Sequence, residues 1–455
     1  MEILLINPPS IGAYYRVGLK VPPLGLAYIA AVLREKRHRV KIIDLAVEDT
    51  DYTNYPYHDF DLVGISADTL RYPVALRIAE VVKKRGSKVV LGGPHVTFFD
   101  REALETGLVD WVVRNEGEYP MLALAEHLER GEALDEVKGI SYLSNGDVVA
   151  TPPAPFVDDL DSLPFPARDL LPLDRYTHKL SKRYTATMLT SRGCPFNCDF
   201  CSSSEFSGIR WRARSVESML EELRLLYQEY GYRAVLFFDD NFLLDPGRVE
   251  ALSLSILERG WDLAWVALSR VDIIVKHERL VELMARSGLR MVFIGFESAT
   301  QEVLDEYGKK IEVEESFKAM DILRRNKVKV LGSFMIGALN ENKEMIKRTI
   351  NFAKKLNPHH VHFSVLTPYP GTRLYEEVKD RLLTTNWEHY TGLSPVIKLD
   401  NLSTDELKRL LKKTYSSFYL RPSRLFTQGL PWLYQLLWGY KKRERVPLAR
   451  GFRSQ

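Results

Sequence analysis

Through the first 130 residues, short, almost unbroken apolar runs alternate with longer segments whose apolar residues recur every three or four positions. The apolar runs are EILLIN (2–7), RVKIIDL (39–45), DLVGIS (61–66) and KVVLGG (88–93), and the periodic segments are LGLAYIAAVLREK (24–36) and VALRIAEVVKKRG (74–86). Runs of that length and composition read as strands buried on both faces, and their alternation with helices predicts a doubly wound parallel sheet. DWVVRNEGE (110–118) adds a fifth strand ending in an acidic, glycine-containing loop, and a helix closing near residue 130 completes the unit. The strand ends carry Asn7 to Pro9, Gly64 to Ser66 and Gly92 to His95, on the edge where open α/β sheets bind ligands.

From 137 the pattern changes. A hairpin is expected around GISYLSNGDVVA (139–150), followed by TPPAPFVDDLDSLPFPARDLLP (151–172), whose proline and aspartate content reads as an ordered linker wrapping the surface. A second α/β series then has strands at YTATMLTSRG (184–193), RAVLFFDD (233–240), DLAWVALSR (262–270), RMVFIGFES (290–298), KVLGSFMIG (329–337) and HVHFSVLTPYPGT (360–372). Six strands are too few for a closed eight-fold barrel and predict a partial barrel. The expected division is a first domain over 1–136, a linker over 137–178, the partial barrel over 179–378 and a helical region over 379–455.

Charge and cysteine content narrow the function classes. Lys and Arg number 63 against 60 Asp and Glu, a net charge of +3, so no overall field recruits nucleic acid or acidic membranes, and no long basic run marks an RNA-binding module. MEILLINPPS lacks a basic flank and reads as a first strand instead of a secretory signal. The apolar stretch LGLAYIAAVL (24–33) falls well short of the roughly 20 residues of a membrane span. All three cysteines lie within SRGCPFNCDFCSSS (191–204), a distribution that excludes a disulfide framework and fits a reducing cytoplasm.

The spacing C-x3-C-x2-C puts Cys194, Cys198 and Cys201 on one tight loop just after the first barrel strand. Structural zinc wants a fourth ligand that no second cysteine pair or nearby histidine pair supplies, and buried thiols alone would not explain the clustering. An iron-sulfur cluster with one iron left open for a small molecule is the reading that survives.

With Phe200 before the last cysteine, this motif resembles that of the radical S-adenosylmethionine enzymes, and the first domain resembles the Rossmann-like cobalamin-binding domain of one large subfamily. The resemblance implies that the cysteines hold a four-iron, four-sulfur cluster whose open iron binds the methionyl group. It also implies that Phe200, Asp239, Asp240, Ser269, Arg270, Glu297 and Ile336 serve S-adenosylmethionine. Asp239 or Asp240 would receive the ammonium, Ser269 with Arg270 the carboxylate, and Glu297 would lie near the ribose and methionyl groups. Plainer roles compete: a helix cap for either aspartate, a surface ion pair for Arg270, and core packing for Ile336. Ser66, Gly92, Gly93, Glu116 and Gly117 become candidate cobalamin contacts. The D-x-H-x-x-G signature that supplies a histidine ligand to cobalt is absent, and His95 reads as a solvated or hydrogen-bonded loop residue.

The resemblance implies methylation of an unactivated carbon through a 5'-deoxyadenosyl radical and methylcobalamin; the substrate would be a secondary metabolite, or a lipid or isoprenoid if the stretch 418–445 lies on a membrane. It also implies an electron donor such as flavodoxin or ferredoxin. No acid-base pair is required, because the cofactors carry the hard step. Ring formation, rearrangement or coupling by the same machinery is the alternative, and an iron-sulfur sensor or binding protein is a second. The stretch 418–445 interrupts apolar and aromatic residues with Pro422 and Pro431 and flanks them with Arg421, Arg424, Lys441, Lys442 and Arg443. It reads as a cap on the barrel mouth or as an interfacial membrane anchor.

Overall fold

The computed structural model describes residues 1–9 and 20–425. Its first sheet contains β1 (Glu2–Asn7), β2 (Arg39–Asp44), β3 (Leu62–Ser66), β4 (Lys88–Gly92), β5 (Trp111–Val113), β6 (Ile140–Ser144) and β7 (Asp147–Ala150). They lie in the order β2-β1-β3-β4-β5-β6-β7, parallel through β5 and antiparallel beyond it. The hairpin β6–β7, which the sequence placed with the linker, is therefore the far edge of this sheet. Local chemistry sets the helix ends: Pro73 sits in the first turn of Tyr72–Lys84, and Gly131 closes Glu118–Arg130 in the left-handed conformation.

The second sheet contains β8 (Lys179–Leu180), β9 (Arg183–Met188), β12 (Ala234–Phe237), β13 (Ala264–Ser269), β14 (Leu289–Glu297), β15 (Lys329–Ile336) and β16 (His360–Val365); between β9 and β12, β10 (Ser191–Arg192) and β11 (Arg212–Ala213) form a separate ribbon. Six strands run parallel in the order β16-β15-β14-β13-β12-β9, and β8 adds an antiparallel edge. The sheet is an open half-barrel whose outermost strand has its edge covered. Val361 and Phe363 of β16 donate their N–H groups to the hydroxyls of Tyr419 and Tyr415 on helix Thr404–Tyr419, and Val365 donates to the Gly392 carbonyl.

That helix is the last in the described residues, reached from 379 through short turns around Thr384, Asn386, Gly392 and Pro395. Phe418 and Tyr419 are buried. Arg421 and Arg424 then bond the carbonyls of Lys354, Pro358 and His359 at the C-terminal end of helix Lys343–Leu356. The described chain thus ends at the amino ends of the barrel strands, the pole opposite the mouth. The rest of the stretch 418–445, from residue 426, lies outside the described residues. Among those described, no helix is long and apolar enough to cross a membrane.

Residues 151–178 are ordered, as their composition predicts, but they do more than wrap a surface. Val157, Leu160, Leu163, Leu171 and Leu173 join the core of the first domain. Tyr176 donates to Asp44 at 2.7 Å, and Asp44 also accepts from Asn7 at 2.6 Å. Arg168 donates to the Thr187 carbonyl and to Glu222, both at 2.7 Å, and so ties the same segment to the barrel.

An aromatic seam joins the domains on one side. Gly371, in the turn TPYPGT, has φ +81°, and a Cβ there would stand 2.5 Å from ring atoms of Phe98. Beside it His95 is fully buried, so of the two expected roles, solvated or hydrogen-bonded, it takes the second. It is the second residue of the short helix Pro94–Phe98, contacts Thr69 at 3.4 Å, and packs against Tyr72, Phe99 and Trp387 with ring centroids 4.1, 5.6 and 4.8 Å away. Burial lowers its pKa to about 3 from an ordinary 6.5. Between those values only the unfolded chain takes the proton, so stability falls as the pH drops below 6.5. At pH 5 the loss from this one residue is about 2 kcal/mol. Thermal melts of wild type and His95→Gln at pH 7 and pH 5 should show a smaller acid-induced drop for the variant; equal drops would mean that His95 does not carry it.

Candidate active site

The ribbon β10–β11 is the base of the cysteine loop, with Arg192 paired opposite Arg212. Gly193 opens the loop with φ +84°, and a Cβ there would run into the Arg210 carbonyl, so only glycine fits. Cys194, Cys198 and Cys201 follow, all half-buried and free. Cys201 N–H donates to the Cys198 carbonyl at 3.0 Å, Asp199 N–H donates to the Tyr307 carbonyl at 3.1 Å, and the Asp199 carbonyl accepts from the Leu374 N–H at 3.0 Å. Phe200 stacks edge-on against Tyr307, centroids 5.3 Å apart, and anchors the loop to the barrel.

Burial pushes the Cys194 thiol up to about 11, and the neighbouring Cys201, Asp240 and Cys198 add to it. Burial also raises Cys198, against the pull of Lys309 and Arg270. Among the described residues no three His, Cys, Asp or Glu side chains converge on a single ion. Three thiols spread along one loop suit a cluster, in which each thiolate takes a different iron.

Facing the loop, the carboxyl ends of the first sheet's strands form one wall of a largely apolar cavity of about 400 Å³. Ser66, Gly92, Gly93 and Gly117 line that wall, and Phe238 and Asp240 lie on the barrel side. Gly93 has φ +115°, and a Cβ would stand 2.8 Å from the Ala67 carbonyl, so close backbone approach is built into the site.

Glu116 also borders the cavity, but its carboxylate is already committed. Both oxygens accept from Arg212 at 2.9 Å, Arg192 lies 3.1 Å away, and the Val157 N–H donates at 2.8 Å. Arg192 also donates to Glu118 at 2.6 Å and lies over the Tyr28 ring. Glu116, predicted as a cofactor contact, is the clamp between the first domain and the base of the cysteine loop. Nothing in the isolated motifs marks Arg192 or Arg212 as its partners.

The structure separates the two aspartates of FFDDNF. Asp239 is buried, accepts from the Thr190 N–H at 2.6 Å and from the Thr190 hydroxyl, and has Arg248 3.8 Å away. It holds strands together behind the site. Asp240 opens onto the cavity, bonded to Ser203 and the Gly193 N–H, with its pKa raised by burial.

Ser269 and Arg270 sit at the end of β13, both buried. Arg270 lies 3.7 Å over the Phe196 ring within the cysteine loop and donates to the Lys309 carbonyl at 2.8 Å and to Asp272 at 3.0 Å. A bulge near the end of β14 turns Glu297, at φ +59°, toward Lys309, 2.8 Å away. Gly295 leaves room for this pair, since a Cβ would meet both side chains. Burial works against the charge on Lys309, but Glu297 and Cys198 outweigh it and raise its pKa. Lys309 was not legible in the sequence, where YGKK reads as solvated surface. Ile336 is fully buried, and the loop after it is pinned by Glu341, which accepts from the Gly337 N–H at 2.6 Å.

The domain carrying the cysteines matches the family model for the radical SAM superfamily over residues 188–353, and the first domain matches that for the B12 binding domain over 14–125. An uncharacterized methyltransferase of Pyrococcus horikoshii is 42% identical over 435 residues, covering 93% of this chain and 94% of its own. The chain belongs to the cobalamin-dependent radical S-adenosylmethionine family.

An anaerobic magnesium-protoporphyrin IX monomethyl ester cyclase of Rubrivivax gelatinosus is 28% identical over 437 residues, 93% of this chain and 78% of that protein. The fold is shared with the cobalamin-dependent radical enzyme OxsB, solved with aqua-cobalamin and S-adenosylmethionine bound, at a TM-score of 0.75 and 18% identity over 97% of this chain and 73% of that one. Its family membership gives this enzyme a four-iron, four-sulfur cluster, S-adenosylmethionine and cobalamin as cofactors.

A Gly193→Ala variant must place a left-handed alanine against Arg210, a strain on the order of 1–3 kcal/mol at the mouth of the cysteine loop. After anaerobic reconstitution its iron content should fall well below wild type while the first domain keeps its fold by circular dichroism; full iron loading would contradict this geometry.

Proposed function

We propose that this enzyme methylates an unactivated carbon of a small organic or lipidic substrate. The observation that carries the reading is the single cavity bounded by Ser66, Gly92, Gly93 and Gly117 of the cobalamin-binding domain on one side and by Phe238 and Asp240 beside the cysteine loop on the other. A substrate there reaches both cofactors without moving between sites, as proximity requires. When bound, the cluster and S-adenosylmethionine supply a hydrogen-abstracting 5'-deoxyadenosyl radical, and cobalamin supplies the methyl group.

The chain's residues bind and orient. Cys194, Cys198 and Cys201 hold the cluster. Lys309 and Arg270, both within electrostatic reach of Cys198, give the positive charge that a methionyl carboxylate needs. Asp240, open to the cavity and bonded to Gly193, is the acid for the methionyl ammonium, and Asp239 is left to structure. The apolar walls exclude water around a reactive radical. An external one-electron donor, such as flavodoxin or ferredoxin, reduces the cluster.

Ring formation by the same machinery is the second reading, favoured by the cyclase relative. The two separate when reconstituted enzyme, hydroxocobalamin, reductant and methyl-deuterated S-adenosylmethionine are incubated anaerobically with small-molecule extract. Methylation predicts 5'-deoxyadenosine, S-adenosylhomocysteine and a product carrying the deuterated methyl, all lost in Cys198→Ala. 5'-Deoxyadenosine with an unlabelled product supports ring formation, and no 5'-deoxyadenosine from wild type contradicts both.

A further inference from the structure

Glu116 touches both halves of the site. Its backbone belongs to the loop that ends the fifth strand of the first domain, and with Gly117 it borders the cobalamin-facing wall of the cavity. Its carboxylate grips Arg192 and Arg212, the facing pair of the ribbon that adjoins the 193–211 loop carrying all three cysteines. The side chains of Glu116 and Arg212 are only 10% and 6% exposed, so the bonds between them are made away from water. The contact is doubled by Arg192 with Glu118 at 2.6 Å and by Asn115 Nδ2 donating to the Phe206 carbonyl at 2.9 Å. Every polar side chain from 115 to 118 is thus bonded to the cysteine loop or its base, while the same loop faces the corrin space.

We infer that Glu116 is a positioning residue that couples the two cofactor sites: seating cobalamin against the 115–118 loop orders the cysteine loop, and a seated cluster preorganises the cobalamin wall. A displacement of the loop on one side must be taken up by the arginine pair on the other, because both guanidinium groups share one carboxylate. Coupling of this kind is reciprocal, so it appears in either binding equilibrium. The inference goes beyond the reaction proposed above and presupposes only the two cofactors.

Two measurements test it. Hydrogen exchange of the wild-type chain without cluster, with and without hydroxocobalamin, reports on the loop directly: the account expects peptides from 193–211 to gain protection when the corrinoid binds. Hydroxocobalamin titrations of wild type and Glu116→Gln, each with and without the reconstituted cluster, report on the linkage. In wild type the cluster should tighten hydroxocobalamin binding by about fivefold or more. In Glu116→Gln the two affinities should converge, although each cofactor still binds. A merely structural glutamate would lower the melting temperature and leave that ratio unchanged. Hydroxocobalamin binding with unchanged exchange over 193–211, or the same ratio in wild type and variant, overturns the coupling alone. No hydroxocobalamin binding by wild type overturns the cofactor assignment and the coupling with it.

Discussion

One carboxylate shared by two arginines fixes how the cysteine loop meets the first domain. A buried apolar cluster runs from the first sheet into the half-barrel and joins the two, but apolar packing by itself sets no polar register between them. Glu116 does, by bridging Arg192 and Arg212. Buried ion pairs cost desolvation and add little net stability, but removing one partner leaves charges stranded, so they favour one geometry over its competitors. The aromatic seam of His95, Phe98, Phe99 and Trp387 supplies the apolar counterpart on another side of the interface. Ionic clamp and aromatic seam together keep the strand ends of one domain opposite the strand ends of the other.

Once the strand ends face each other, the chemistry follows from what projects from them. Gly93 and Gly193 bring backbone close to the space between the domains, at positions where a side chain has no room. The Glu297–Lys309 pair and Arg270 place charge beside Cys198 in a setting where burial would otherwise penalise it. Charge held in place by pairing and stacking needs no reorganisation to meet a ligand, the arrangement that gives electrostatic binding most of its strength.

Much of this was legible in the sequence. The six parallel barrel strands fall within a few residues of the apolar runs that predicted them, and the three cysteines named the cofactor class because little else explains three thiols in eight residues. What escaped depended on distant partners. FFDDNF offers two aspartates just past the end of β12, and only the bonds from Thr190, 49 residues earlier, decide that Asp239 turns back into the barrel while Asp240 opens to the cavity. Nothing local marks Lys309, and the carboxylate that compensates its buried charge, Glu297, lies twelve positions earlier on another element. Glu116 borders the cavity as expected, but its bonds to the base of the cysteine loop were not foreseen, since its arginines lie 76 and 96 residues away. The proline-rich segment looked like surface because its leucines are scattered among turn residues, yet they fill the first domain's core.

On the reading proposed above, cobalamin lies against the first domain's wall of the cavity and the cluster on the cysteine loop beside it. The test is the low-temperature electron paramagnetic resonance spectrum of enzyme in which the reduced cluster and cob(II)alamin are both present and paramagnetic. Two centres placed side by side are close enough for their spins to interact, so broadened or split signals that neither centre shows alone are expected. A spectrum equal to the sum of the two separate centres would contradict that reading.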